Sequence, residues 1–162
     1  MNYEINQLLK NAEGRYLTDL ESQKLIGYAA GIRRRLEVAR NVERAEAEIV
    51  GANMRAIKAR YPELESMYGE HTNARIVRDQ TFVLRYAVLA MVQRDPDFIR
   101  DKLSLWLATI LAALCDLEHV IYAMEQIIEA CRQHLEVEDA EELVPYLQVN
   151  LQAFEARSST AA

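Results

Sequence analysis

The chain has 162 residues, 51% hydrophobic and 27% charged, which fits one domain and a globular rather than a disordered chain. A formal charge of -6 leaves no overall basic field to attract nucleic acid or anionic lipid. Five glycines and three prolines are too few to punctuate a many-turned β fold, so long helices are expected.

In chain order, Ile5, Leu8, Leu9 and Ala12 recur at helical spacing, and Gly14 closes that segment. Thr18 with Glu21 reads as a capping box opening a second helix, whose apolar stripe is Leu25, Tyr28, Ala29, Ile32 and Leu36. Gly27 and Gly31 mark a close backbone approach or a bend. The basic run Arg33-Arg34-Arg35 is followed closely by Glu37, Glu43, Glu46 and Glu48, so it reads as a solvated helix face. Helical pattern continues through Val42, Ile49, Val50, Met54 and Ile57 until Tyr61-Pro62 stops it.

The stretch 62–71 reads as a loop. A long helix then runs from about Thr72 to Arg94, with more than one apolar stripe, so it is expected to be buried on several sides. Asp95-Pro96 breaks it and caps the next segment, which from Phe98 through Leu103, Trp106 and Ile110 to Leu114 is almost wholly apolar. Glu118 to His134 is helical again. Val137 to Asp139 is a short link, and a last helix carries Leu143, Leu147, Leu151 and Phe154, with Pro145 in its first turn or kinking it. The expected organisation is one domain over 1–157 and a frayed, disordered tail over 158–162.

Chemistry-bearing residues are sparse. Cys115 and Cys131 lie in apolar helical surroundings without metal spacing and read as helix-filling thiols. Of the three histidines, His134 suits a helix C-terminus, His71 carries no motif, and His119 lies near a polar face, though a globin-like scaffold would raise the question of haem there. No phosphate loop, catalytic triad order or metal set is present, so neither enzymatic activity nor a metal site is expected. The N-terminus is neither basic nor apolar enough for a signal peptide. The longest apolar run falls short of the roughly 18 residues a membrane span requires, so no integral membrane segment is expected.

Three segments resemble the phycobiliproteins, most closely the allophycocyanin and phycocyanin subunits. Asn11-Ala-Glu-Gly-Arg-Tyr16-Leu-Thr18 is similar to that family's turn between two N-terminal extension helices. Arg35-Leu36 through Ile49-Val50 to Arg60-Tyr61-Pro62 is similar to its Arg-Leu run ending before a proline. Arg78-Asp79 with Leu84-Arg85-Tyr86 is similar to its Cys-x-Arg-Asp-x-x-Tyr-Tyr-Leu-Arg pattern. The resemblance implies an all-α, globin-like fold with two N-terminal extension helices.

It also implies a site for a linear tetrapyrrole. By position, Arg78 would meet a propionate and Asp79 the central pyrrole N–H groups through charge-assisted hydrogen bonds. Three departures bear on this. Ile76 occupies the usual attachment position and has no nucleophile, so no covalently bound cofactor is expected there and any phycocyanobilin-type pigment would be held non-covalently. The usual Tyr-Tyr reads Phe82-Val83. Asn11 stands where the family often has an aspartate that pairs with a partner's arginine, and Arg85 is this chain's counterpart of that arginine.

The implied interface is Ile5, Leu8, Leu9, Asn11, Tyr16 and Arg85. The implied partners are phycobiliprotein subunits or other phycobilisome components, in a homodimer or heterodimer. The expected function is phycobilisome assembly, regulation or turnover, or non-covalent bilin binding, in a cyanobacterium. The expected location is the cytoplasm, at the cytoplasmic face of the thylakoid. The alternative is a globin-like sensor or signalling module that binds a small ligand or a protein partner.

Overall fold

The computed structural model describes residues 2–161, and among them every regular element is helical. Helix α1 (Tyr3–Asn11) starts where the Asn2 side chain accepts a hydrogen bond from the Glu4 N–H at 2.7 Å. The chain turns at Gly14, whose φ of 81° is the left-handed region that suits glycine. Helix α2 (Asp19–Ala30) opens with the expected capping box between Thr18 and Glu21. Arg15 strengthens it with two hydrogen bonds to the Glu21 carboxylate, at 2.7 and 2.8 Å.

Gly31 joins α2 to α3 (Ile32–Arg60). A Cβ on Gly31 would lie 2.6 Å from Arg35 Nη1, so the missing side chain makes room for a buried arginine. Arg35 donates to the Val92 carbonyl at 2.9 Å and the Tyr28 carbonyl at 3.0 Å, which ties the α2–α3 junction to a distant helix. The middle of the basic run is therefore not all solvated. Arg34 pairs with the buried Asp139, which also accepts from Asn41 at 2.7 Å. Arg33 alone stays largely in water.

The expected loop after Pro62 contains a short helix, α4 (Leu64–Tyr68). Helix α5 (Thr72–Gln93) ends at Arg94 in the left-handed conformation, and α6 (Pro96–Ile99) is capped by Asp95. The apolar segment that follows is not one helix. A π turn at Arg100–Ser104 separates α6 from α7 (Leu105–Leu114). The Ser104 hydroxyl lies at 3.2 Å from the Ile99 carbonyl five residues back and is also hydrogen-bonded to Asn150. Helix α8 (Leu117–His134) is capped by Asp116, and α9 (Val137–Ala161) contains Pro145 in its interior rather than its first turn. Helix α9 also runs through most of the segment expected to be a frayed tail; Ala162 lies outside the described residues.

The core forms where α3, α5, α8 and α9 meet, around Val38, Ile49, Leu84, Met91, Ile127, Leu143, Leu147 and Phe154. At roughly 1.5–3 kcal/mol per buried large apolar side chain, this cluster dominates the stabilisation of the body. The expected stripe of α2 is not part of it. No residue of α2 is fully buried, and neither α1 nor α2 contributes to this cluster. The architecture is all-α and globin-like with two N-terminal helices added.

Candidate functional site

One face of α5 does not meet another helix closely. There it forms a cleft of about 720 Å³ with α7, the start of α8 and the α4 segment. That volume is within the roughly 300–1,000 Å³ typical of small-molecule sites. Ile76, Arg78, Asp79 and Phe82 all line it, so the residues expected to meet a pigment share one surface. Ile76 is half-buried and packs on the small cluster of Ile57, Tyr61 and Leu64, which gives the cleft an apolar floor.

Arg78 and Asp79 are expected to diverge, because neighbours on a helix point about 100° apart. Instead the Arg78 guanidinium curls back to Asp79, with Nε at 2.9 Å and Nη2 at 2.8 Å from Oδ1. The long arginine side chain makes that possible. The Arg78 side chain remains 60% exposed, so the pair is weakly held and free to open onto a ligand. Beside it Gln80 is buried, and its amide oxygen has no hydrogen-bond partner. An acceptor sealed inside the protein without a partner is costly.

The opposite wall is hydrocarbon. Helix α7 buries only Leu107 and Ala108, while Trp106 and Leu114 are well exposed yet line the cleft. A helix apolar on all sides is expected to be covered on all sides. Here the uncovered side faces the cleft and the surface next to it.

His119 also differs from its expected polar-face position. It lines the cleft, shares a 3.3 Å hydrogen bond through Nδ1 with the Tyr68 hydroxyl, and meets the Tyr61 ring edge-on at 4.4 Å. Tyr61 in turn bonds Glu118 at 3.2 Å, and burial followed by that carboxylate raises its phenol above the usual value. These contacts fix the rim between α4 and α8.

The two cysteines separate. Cys131 is buried in the core, which pushes its thiol up to about 12. Cys115 does not fill a helix. It ends α7 in an extended conformation and lines the cleft, with Sγ 3.3 Å from the Leu111 carbonyl. Its thiol is raised by partial burial, then by the charges of Asp116 and Asp79.

None of the expected interface residues lines this cleft, and they differ in exposure. Ile5 and Leu8 are only 4% and 8% exposed, covered by the chain itself. Leu9, Asn11 and Tyr16 are exposed, Tyr16 almost completely. Arg85 is engaged by Glu46 in a two-pronged pair at 2.6 and 2.8 Å, which holds the Glu46 carboxyl below its ordinary value.

A family model of phycobilisome proteins matches residues 8–154, nearly the whole chain. The chain belongs to the phycobilisome protein family. No individual curated protein matches it. Phycobilisome proteins are light-harvesting rather than enzymatic, carry bilins and assemble with one another. The cleft fits such a cofactor: Arg78 would receive a propionate, Asp79 would accept from pyrrole N–H groups, and Trp106 and Phe82 would cover the rings. When bound, the conjugated tetrapyrrole would supply absorption of visible light. Among the described residues no helix is long and apolar enough to cross a membrane, and no cluster of three or more His, Cys, Asp or Glu is placed to hold a metal ion.

Proposed function

We propose that this chain is a phycobilisome-associated protein that binds a linear tetrapyrrole of the phycocyanobilin type in the α5–α7–α8 cleft. The pigment is recognised without the family's bond at position 76. Its role is assembly, regulation or turnover of the phycobilisome, at the cytoplasmic face of the thylakoid. The observation that carries this reading is the convergence of Arg78 and Asp79 on one side of a cleft whose other side is exposed hydrocarbon. Charged and polar groups at one edge of an apolar slot suit a planar, conjugated ligand with acidic arms.

Co-expression with phycocyanobilin synthesis tests this. The native protein is expected to be purified coloured, with about one pigment per chain. Replacing Arg78 and Asp79 together by alanine should remove that colour while leaving the helical circular-dichroism spectrum unchanged. A colourless wild-type protein, or a double variant that keeps its colour, would overturn the site.

A second reading, a sensor module that binds a different small ligand, rests on His119. Its Nδ1 is held by Tyr68 at the cleft wall, the type of support that orients a histidine towards a ligand. A haem-type absorption band in place of a bilin band after expression with both precursors would favour it.

A further inference from the structure

A second pocket, of about 530 Å³, lies where the α2–α3 junction meets the end of α5 and the N-terminal half of α9. It shares no lining residue with the α5–α7–α8 cleft. Its size again falls within the roughly 300–1,000 Å³ of small-molecule sites. Gly31, Arg35, Arg94 and Tyr146 line it, and the cationic groups among them are not neutralised by the protein.

Arg35 is the first of these. It is only 4% exposed, yet among the described residues no carboxylate pairs with it. Its Nε and Nη2 donate to the Val92 and Tyr28 carbonyls, which are neutral, and its Nη1 has no acceptor. That nitrogen is not shut in: the polar side-chain atoms that are both sealed and unpartnered belong to Asn53, Gln80 and Asn150. It stands beside Gly31, where a Cβ would come within 2.6 Å of it, so the missing side chain keeps this nitrogen open to the pocket. A buried cation held only by neutral groups is costly, and an anion beside it removes much of that cost.

Two further donors gather at the same place. The Arg94 guanidinium and the Tyr146 hydroxyl make no hydrogen bond or ion pair among the described residues. Burial raises the Tyr146 phenol first, and the charges of Arg94, Glu142 and Arg35 then act on it, so these groups surround one point. Arg34 also lines the pocket, but Asp139 already neutralises it. We infer that this pocket binds a small organic carboxylate, received by Arg35 Nη1, the Arg94 guanidinium and the Tyr146 hydroxyl. Charge-assisted bonds of this kind are the strong ones, and arginine presents its donors in a planar fork that matches a carboxylate. Glu141 and Glu142 line the same pocket and repel a second negative charge, so a singly charged carboxylate suits it better than phosphate. This site stands independently of the tetrapyrrole cleft.

The test titrates acetate into the full chain and follows the Arg35 Nε–H and Tyr146 ring resonances by NMR, with chloride holding the ionic strength constant. Wild type is expected to show saturable shifts of both, with millimolar affinity. Arg94→Gln and Tyr146→Phe each remove one donor while keeping the shape of the wall, and their thermal melts without acetate should stay near wild type. Each is expected to weaken acetate binding by roughly tenfold, read at Arg35 Nε–H, because each loses one hydrogen bond to a charged ligand. Inorganic phosphate in place of acetate should bind more weakly than acetate. Shifts that do not saturate, or that chloride alone reproduces, overturn the site. Acetate binding unchanged in both variants overturns the assignment of its donors, and phosphate binding tighter than acetate overturns the choice of a carboxylate.

Discussion

Arg35 shows how one residue can join distant segments. It belongs to a basic triplet that looks uniform in sequence, yet its guanidinium is buried and satisfies two backbone carbonyls, Tyr28 at the end of α2 and Val92 at the end of α5. Arg35→Met would keep the length of the side chain but orphan both acceptors. Hydrogen bonds to charged groups contribute about 1.5–3 kcal/mol each, so a loss of about 3–6 kcal/mol is expected for the two in urea unfolding. An unchanged midpoint would contradict that role. Glu21 gives a second residue-scale prediction. Hydrogen bonds from Arg15 first, then from the Thr18 backbone and hydroxyl, hold its carboxyl at about 2. A carboxylate in the unfolded chain titrates near 4.3, so the folded state binds this proton more weakly. Its contribution is therefore complete above about pH 4.3 and disappears as pH falls through about 2. NMR titration should find the Glu21 carboxyl shift moving only below pH 3. A midpoint near 4 would mean that the Arg15–Glu21 clamp does not form.

Helix α7 carries the main lesson at the scale of elements. Its sequence, LWLATILAAL, reads as a core helix, because almost every position is apolar. Only two of its residues are buried, and the π turn before it is part of the reason. Five residues in that turn shift the helix phase, and the Ser104 hydroxyl with Asn150 anchors the shifted turn inside the protein. The apolar face so displaced becomes a wall of the cleft. Ser104→Ala would leave the Asn150 side chain without its hydroxyl partner in a buried place. A loss of about 1–3 kcal/mol is expected, with pigment binding weakened more than the stability of the rest of the fold. Equal weakening of both, read by thermal melts with and without bilin, would separate the π turn from the site. The helical periods, the capping box of α2 and the Asp95-Pro96 break were all legible from residue spacing, because those signals are local. The π turn was not, since it depends on Asn150 from a helix about 46 residues away.

For the whole molecule, the arrangement of exposed apolar groups is informative. The interface that the resemblance implies includes Ile5 and Leu8, but those two are already buried within the chain. The large apolar groups left outside at this end are Tyr3 and Leu9 on α1, Tyr16 on the turn, and Leu20 and Ile26 along α2. These groups are the apolar surface that this end offers for subunit pairing. Leu20→Asp with Ile26→Asp is expected to shift the protein towards monomer, read by light scattering after size exclusion, with melting little changed because α2 buries nothing fully. Wild type that is already monomeric at high concentration would remove self-pairing from the account. Arg85 is satisfied by Glu46 of its own chain, so an interface aspartate is not required to neutralise it.

The sequence by itself determined the class of the protein. Hydrophobic period, capping residues and proline breaks specify helices through contacts within a few residues, and the order of short motifs placed the chain among the phycobilisome proteins. It also located Arg78 and Asp79 on one helix and showed that position 76 has no thiol. The tertiary structure alone decided which apolar surfaces stay open, that Arg78 folds onto Asp79, that Gln80 lacks a partner, and that Cys115 faces the same cleft. These properties depend on how α5, α7 and α8 are set against each other. That arrangement is fixed by burial and hydrogen bonds between residues far apart in the chain, which local spacing does not encode.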